Sequence, residues 1–255
     1  MSMPFYVAPE QVMKDRADYA RKGIARGRSL IAVVCEEGIL LCAENPSRTL
    51  HKVSEIYDRI AFAGVGRYSE FDTLRTAGVR HADLKGYSYS REDVDARSLA
   101  NAYAQTLNQI FTHEMKPLEV EILVAEVGIP DEYGDQSQPH SDDQLYHIQY
   151  DGTVVDEEGF TVLGGEADII DGRVRAGFRP GVTLRDALDL AVGALAGPDR
   201  VLEPKDLEVA LLARRDGRRA FRRIEDEELA GLLPEPTAEP TDGEAPGAGT
   251  GADGG

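Results

Sequence analysis

Apolar residues change their spacing several times along the chain, and each change marks an element. Val12, Ala17, Ala20 and Ile24 recur at helical spacing, which predicts a first helix over residues 11–25. Residues 30–35 and 39–43 are apolar, β-rich runs around Glu37-Gly38, the pattern of a hairpin. A short strand follows at 59–64. The period then lengthens. Phe71, Leu74, Gly78 and Ala82 fall on one helical face, and Leu99, Tyr103, Leu107, Ile110 and Phe111 fall more strongly on another. Ser90 with Asp93 stands where a cap and an acid at the third helical position would start the second of these helices.

Strand patterns return at 120–127, 145–150 and 154–155, the last two turned at Asp151-Gly152. Leu184, Leu188, Val192 and Leu195 predict a helix with Thr183 as its cap and Gly197-Pro198 as its stop. Residues 207–213 and 218–223 form a hairpin pattern around Asp216-Gly217, and a short acidic helix follows at 225–233. Runs of strands alternating with runs of helices argue against a simple βαβ repeat and predict an α+β fold. Two sheets with helices packed outside would bury every apolar face named. Residues 128–144, rich in Gly, Pro, Asp, Ser and Gln, form a loop that is long for a compact domain.

Charge sharpens this division. The 255 residues carry a formal net charge of −18. Residues 131–158 hold nine acids and no Lys or Arg, and residues 225–255 hold nine more with none. The remainder is electrically balanced. An acidic chain is a poor partner for nucleic acid, which needs a basic footprint, and for an anionic membrane surface. Neither is expected as a partner. No apolar run reaches the ~20 residues of a membrane span. The first residues lack the basic and long apolar regions of a signal peptide. Two cysteines, Cys35 and Cys42, make no disulfide scaffold and fit buried positions in a reducing cytoplasm. Residues 234–255, with four Pro and six Gly and no aromatic or basic residue, are expected to be a disordered tail.

Candidate chemistry is sparse. His51, His81, His113, His140 and His147 show no metal-ligand spacing, and no Cys-x-x-Cys is present, so neither metal nor cofactor is expected. Gly64-Val65-Gly66 sits between a strand and a helix but lacks the third glycine of a dinucleotide fingerprint, so a tight turn is expected. Six arginines at 214, 215, 218, 219, 222 and 223 crowd one hairpin. They read either as a polyanion patch or as a solvated hairpin beside the acids 225–228.

The set of elements has a further meaning. Gly27–Leu74 (GRSLIAVVCEEGILLCAENPSRTLHKVSEIYDRIAFAGVGRYSEFDTL), Phe160–Asp168 (FTVLGGEAD) and Thr183–Gly197 together resemble subunits of the 20S proteasome, over nearly the whole stretch from Pro9 to Leu233. That resemblance implies a four-layer α-β-β-α sandwich, the N-terminal nucleophile hydrolase-like fold, here with an extra N-terminal helix. It divides the chain into a gate segment (1–8), an α-type domain (9–233) and an acidic Gly/Pro-rich tail (234–255).

Two kinds of subunit share the fold. The β-type uses an N-terminal Thr, exposed by cleavage, with its own α-amine as base. The matching place here is Arg28-Ser29, and the first Thr of the chain is Thr49. The α-type keeps its N-terminal segment, and Asp18-Tyr19-Ala20 resembles its signature on the helix crossing the ring face. The resemblance therefore implies a noncatalytic α subunit, with no catalytic residue of its own. It would form a seven-membered ring with copies of itself on a ring of β subunits. Met1, Ser2, Met3, Pro4, Phe5, Tyr6, Val7 and Ala8 would gate the pore, or else form a frayed terminus. Lys52 would meet the C-terminal carboxylate of a ring-shaped activator, or else be a solvated loop lysine. The start Pro4-Phe5-Tyr6-Val7-Ala8-Pro9 and the acidic tail resemble the actinobacterial branch, which implies a hexameric AAA ATPase and protein substrates tagged with a small disordered modifier. The rivals are a β-type protease cut before Ser29 and an acidic binding module outside any ring.

Overall fold

The computed structural model describes residues 8–128, 143–214 and 218–233. The predicted gate residues 1–7, most of the acidic loop, the Asp216-Gly217 turn with Arg215, and the tail lie outside the described residues.

The chain opens with α1 (Pro9–Ile24), then β1 (Leu30–Cys35), β2 (Gly38–Glu44), β3 (Val53–Tyr57) and β4 (Ile60–Gly66). Helices α2 (Tyr68–Ser88) and α3 (Ala96–His113) follow, then β5 (Val120–Glu126), β6 (Gln144–Ile148), β7 (Val154–Glu157) and β8 (Phe160–Leu163). The last part is α4 (Ala167–Gly177), α5 (Leu184–Ala196), β9 (Leu207–Ala213), β10 (Phe221–Ile224) and α6 (Asp226–Leu232). Two five-stranded sheets result, in the orders β10-β9-β2-β1-β8 and β3-β4-β5-β6-β7. Their pairings are antiparallel throughout.

Strand periodicity explains the layering. Ala32 on β1, Leu41 on β2, Ala210 and Leu212 on β9 face Ala63, Val65, Leu123 and Ala125 of the second sheet. The intervening residues Ile31, Val33, Leu40, Val209 and Leu211 face Ile170 and Val174 of α4 and Leu184, Leu188 and Leu195 of α5. On the far side, Phe62, Ile122, Val124 and Ile148 meet Phe71 and Leu74 of α2 and Leu99, Tyr103 and Leu107 of α3. Helix, sheet, sheet, helix is the four-layer sandwich expected from the sequence. Strands covered on both faces have no polar side, which is why 30–35 and 39–43 read as unbroken apolar runs. Truncating Leu41, fully buried between the sheets, to Ala would cost about 3 kcal/mol.

Several local expectations need correction. Ser90 caps only a single 3₁₀ turn, Arg91–Asp93. The cap of α3 is Asp95, whose carboxylate accepts the Ser98 N–H at 2.7 Å while Lys85 of α2 donates to it at 2.7 Å. Helix α3 therefore starts five residues later than expected, where the Asp95 carboxylate takes up a free first-turn N–H. Strand β3 was not isolated by pattern, because Ser54 and Glu55 interrupt its apolar residues and its pairing with β4 shifts register between Glu55 and Tyr57. Helix α4 was likewise not isolated, since it buries only Ile170 and Val174. The final hairpin strand is Phe221–Ile224 rather than 218–223.

The extra helix α1 starts after Ala8, with Pro9 in its first turn, where a missing N–H costs nothing. Its buried Ala20 and Ile24 pack with Tyr150, Ala17 and Phe111. Arg16 fastens it further, donating to the Phe111 carbonyl at 2.5 Å. Thus α1 lies across the end of the second sheet.

Candidate functional site

At the start of β1 the chain leaves α1 through Gly27 and Arg28. Five other segments converge there: the end of β2, the loop before β3, the loop after α5, the start of β9 and the end of β10. Lys52, in the loop before β3, is half-buried, and its Nζ donates to the Arg28 carbonyl at 2.6 Å. Burial pulls its ammonium down to about 8, against the opposing pull of Glu208 and Glu44, while Arg28 adds to the depression.

Two buried carboxylates organise the surroundings. Glu44 ends β2 and accepts from Arg28 Nη1 at 2.9 Å and from Arg200 Nη1 at 3.1 Å. Glu208, on β9, accepts from Asn45 Nδ2 at 2.8 Å, the Lys52 N–H at 2.8 Å, the Val53 N–H at 3.3 Å and Arg223 Nη1 at 2.6 Å. His51 Nδ1 lies 3.2 Å from the same group. Four cationic side chains, Arg28, Lys52, Arg200 and Arg223, are thus gathered around these two acids.

Ser29 beside it is buried, 6% exposed, and peptide-bonded to Arg28. Gly164, at φ +118°, presses on it so closely that a Cβ there would come within 2.9 Å of the Ser29 Cα. The Gly164-Gly165 pair of the FTVLGGEAD motif therefore serves to close the β8–α4 turn onto the start of β1.

On α1, Ala20 is fully buried while Tyr19 is 47% exposed. The Lys116 ammonium stands 5.6 Å from the Tyr19 ring centroid and is held by Glu70 at 2.7 Å and Glu119 at 3.1 Å. Asp18 pairs with Arg21 at 3.7 Å. Signature residues 18–20 thus divide their work along the helix, Ala20 inward and Tyr19 outward. Of the gate residues, Ala8 alone is described; its carbonyl accepts from Gln11 N–H at 2.9 Å. The structure brings Lys52 to the mouth of β1 and keeps residues 18–20 on the separate face of α1.

Four of the six hairpin arginines are paired with carboxylates. Arg214 pairs with Asp143, Arg219 with Glu55, Arg222 with Glu228 and Arg223 with Glu208. That favours the hairpin reading over a polyanion patch. Glu44 and Glu208 were missed from sequence; Glu208 intrudes into an otherwise apolar strand, which was the available signal, and Glu44 stands at the end of one. Among the described residues no cluster of three or more His, Cys, Asp or Glu could hold a metal ion, and no helix is long and apolar enough to cross a membrane.

Comparison with known proteins agrees with the fold. The family model described as "Proteasome subunit" matches residues 24–211. The proteasome subunit alpha of Acidimicrobium ferrooxidans is 62% identical over 91% of this chain and 97% of its own length. That of Sanguibacter keddieii is 58% identical over 100% and 99%, and that of Thermobifida fusca 56% identical over 92% of each chain. The four-layer sandwich, the motifs around β1 and these end-to-end matches establish that the chain belongs to the proteasome subunit family, as an α-type member of the actinobacterial branch.

Proposed function

We propose that the chain is a noncatalytic α subunit that forms the outer seven-membered ring of a cytoplasmic proteasome core, stacked on β subunits. In this reading its body, residues 9–233, builds the ring, and residues 1–8 gate the axial pore. Lys52 docks the C-terminal carboxylate of a hexameric AAA ATPase that delivers modifier-tagged proteins. The carrying observation is the cluster of cations around Lys52 at the mouth of β1. It stands where a catalytic subunit needs an exposed nucleophile with a free amine, and Ser29 instead is buried in continuous chain behind Arg28. A lysine ammonium in a partly desolvated site suits a carboxylate ligand better than the same charge in water. Two buried free thiols, Cys35 and Cys42, held up at about 11 and about 12 by burial, fit a reducing compartment.

Co-expression with a β subunit followed by native mass spectrometry tests the assembly. A particle with seven copies of this chain per ring is expected; a monomer that ignores the β subunit would refute it. The purified chain alone should hydrolyse no peptide, and turnover that does not depend on β subunits would overturn the noncatalytic reading.

A further inference from the structure

The loop from Asn45 to Val53 carries Lys52 and has no regular structure of its own before β3 begins. Backbone bonds to Asp206 and Gly64 and the Arg48–Asp226 pair help to hold it, but one side chain from a distant strand gathers more of its groups than any other. Glu208 Oε2 accepts the Asn45 side-chain amide and the Lys52 backbone N–H, each at 2.8 Å. Its Oε1 takes the Val53 N–H at 3.3 Å, the Arg223 guanidinium at 2.6 Å and faces His51 Nδ1 at 3.2 Å. Arg223 also donates to the Val53 carbonyl at 2.6 Å, and Asn45 to the Leu50 carbonyl at 2.8 Å, so the loop is gripped at both ends.

The location is costly. Glu208 precedes Ala210 and Leu212 on the inner face of β9, and it is 8% exposed. A carboxylate there is tolerated only because every lone-pair direction is used. An apolar residue would continue the inner face without that demand, so burial alone does not account for the acid.

We propose that Glu208 is the positioning residue for activator docking, its carboxylate holding the loop so that the Lys52 ammonium is presented at the mouth of β1 to a chain-terminal carboxylate. This rests on the docking role of Lys52 proposed above. Glu208 touches no ligand in this arrangement. It acts through the Lys52 main chain and through the charge it adds beside the ammonium.

The second effect gives a readout that loop scaffolding alone would not move. Lys52 is faced by Glu208 from β9, Glu44 from β2 and Arg28 from the start of β1, with His51 and Arg223 on Glu208 and Arg200 on Glu44. Glu208 favours the charged ammonium, so removing its charge lowers the pH at which the ammonium is lost.

The test uses particles of the full chain with its β subunit, carrying wild-type sequence, Glu208→Gln or Lys52→Ala. The probe is a synthetic peptide of the activator's last residues, as free acid and as C-terminal amide, with binding measured from pH 6 to 9.5. Wild type should prefer the acid by at least tenfold and lose that preference as pH rises through about 8. Glu208→Gln should cut the preference several-fold and move its midpoint to lower pH. If Lys52→Ala keeps the wild-type preference, the docking role itself fails. If Lys52→Ala abolishes the preference while Glu208→Gln retains it at an unchanged midpoint, the positioning role fails and docking stands. Should Glu208→Gln not assemble, Glu208→Asp, which keeps the charge but withdraws it by one methylene, must lower the preference several-fold; wild-type binding by that variant overturns the proposal.

Discussion

The Lys52 ammonium and the Arg28 carbonyl meet at 2.6 Å, which seats a cation against the backbone that leads into β1. A main-chain carbonyl is a fixed, neutral acceptor, so the bond orients the ammonium without cancelling its charge. Lys52→Ala should therefore weaken ATPase-stimulated protein degradation by about tenfold, the scale of one charge-assisted contact. Native mass should still show intact rings. Full stimulation by the variant would return Lys52 to an ordinary loop lysine.

The proposed gate makes a separate prediction, because it concerns access rather than docking. Residues 2–8 are mostly apolar and lead directly into the fixed first turn of α1, where Pro9 follows the Ala8 carbonyl. Several such segments converging on a ring axis would bury apolar surface against one another. Deleting residues 2–8 should speed hydrolysis of small peptides by the assembled particle severalfold without any ATPase. An unchanged rate would leave these residues with no gating role.

Much of this architecture was readable in advance, for identifiable reasons. The strands β1, β2, β5 and β9 are covered on both faces over most of their length and so are largely apolar, and α3 and α5 present one clean apolar stripe each. Elements with mixed environments were lost: β3 alternates around a register shift, and α4 rests on Ile170 and Val174 alone. The proposed site was legible only in part. Lys52 and residues 18–20 stand in recognisable motifs, whereas Glu44 and Glu208 matter through partners 163 or 156 residues away, a relation that no local pattern encodes.

Gly66 shows how a turn glycine is forced. The β4–α2 turn holds it at φ +109°, and a Cβ there would collide with the Glu119 carbonyl oxygen. Neither the backbone angle nor the opposing main chain has room to yield, since Arg67 N–H donates to that same carbonyl at 2.9 Å. Gly66→Ala should cost about 3 kcal/mol, combining left-handed strain with the steric clash. A fall in Tm of roughly 5–10 °C is expected. A variant as stable as the parent would mean that the turn relaxes freely.

His147 supplies the pH prediction. It lies on β6 with its side chain 12% exposed, Nε2 at 3.7 Å from Glu121 and Nδ1 at 3.9 Å from Glu157. Burial works against the imidazolium, but the two carboxylates more than offset it and push the group up to about 9. A group raised on folding stabilises fully below its unfolded value of about 6.5 and loses that contribution as pH rises through about 9. Lys52 runs the other way, because its depressed ammonium makes folding more favourable as pH rises from about 8 towards the ordinary lysine value. The two trends overlap, so the His147 effect is read as a difference. Stability of the wild-type chain minus that of His147→Gln, from denaturant titrations at pH 6, 7.5 and 9.5, should shrink steadily across the series. Above pH 9.5 little should remain of it, because the neutral imidazole has no more claim on Glu121 and Glu157 than the amide does. A difference that stays constant with pH would show that His147 is neutral in the folded chain and that the two acids are accommodated without it.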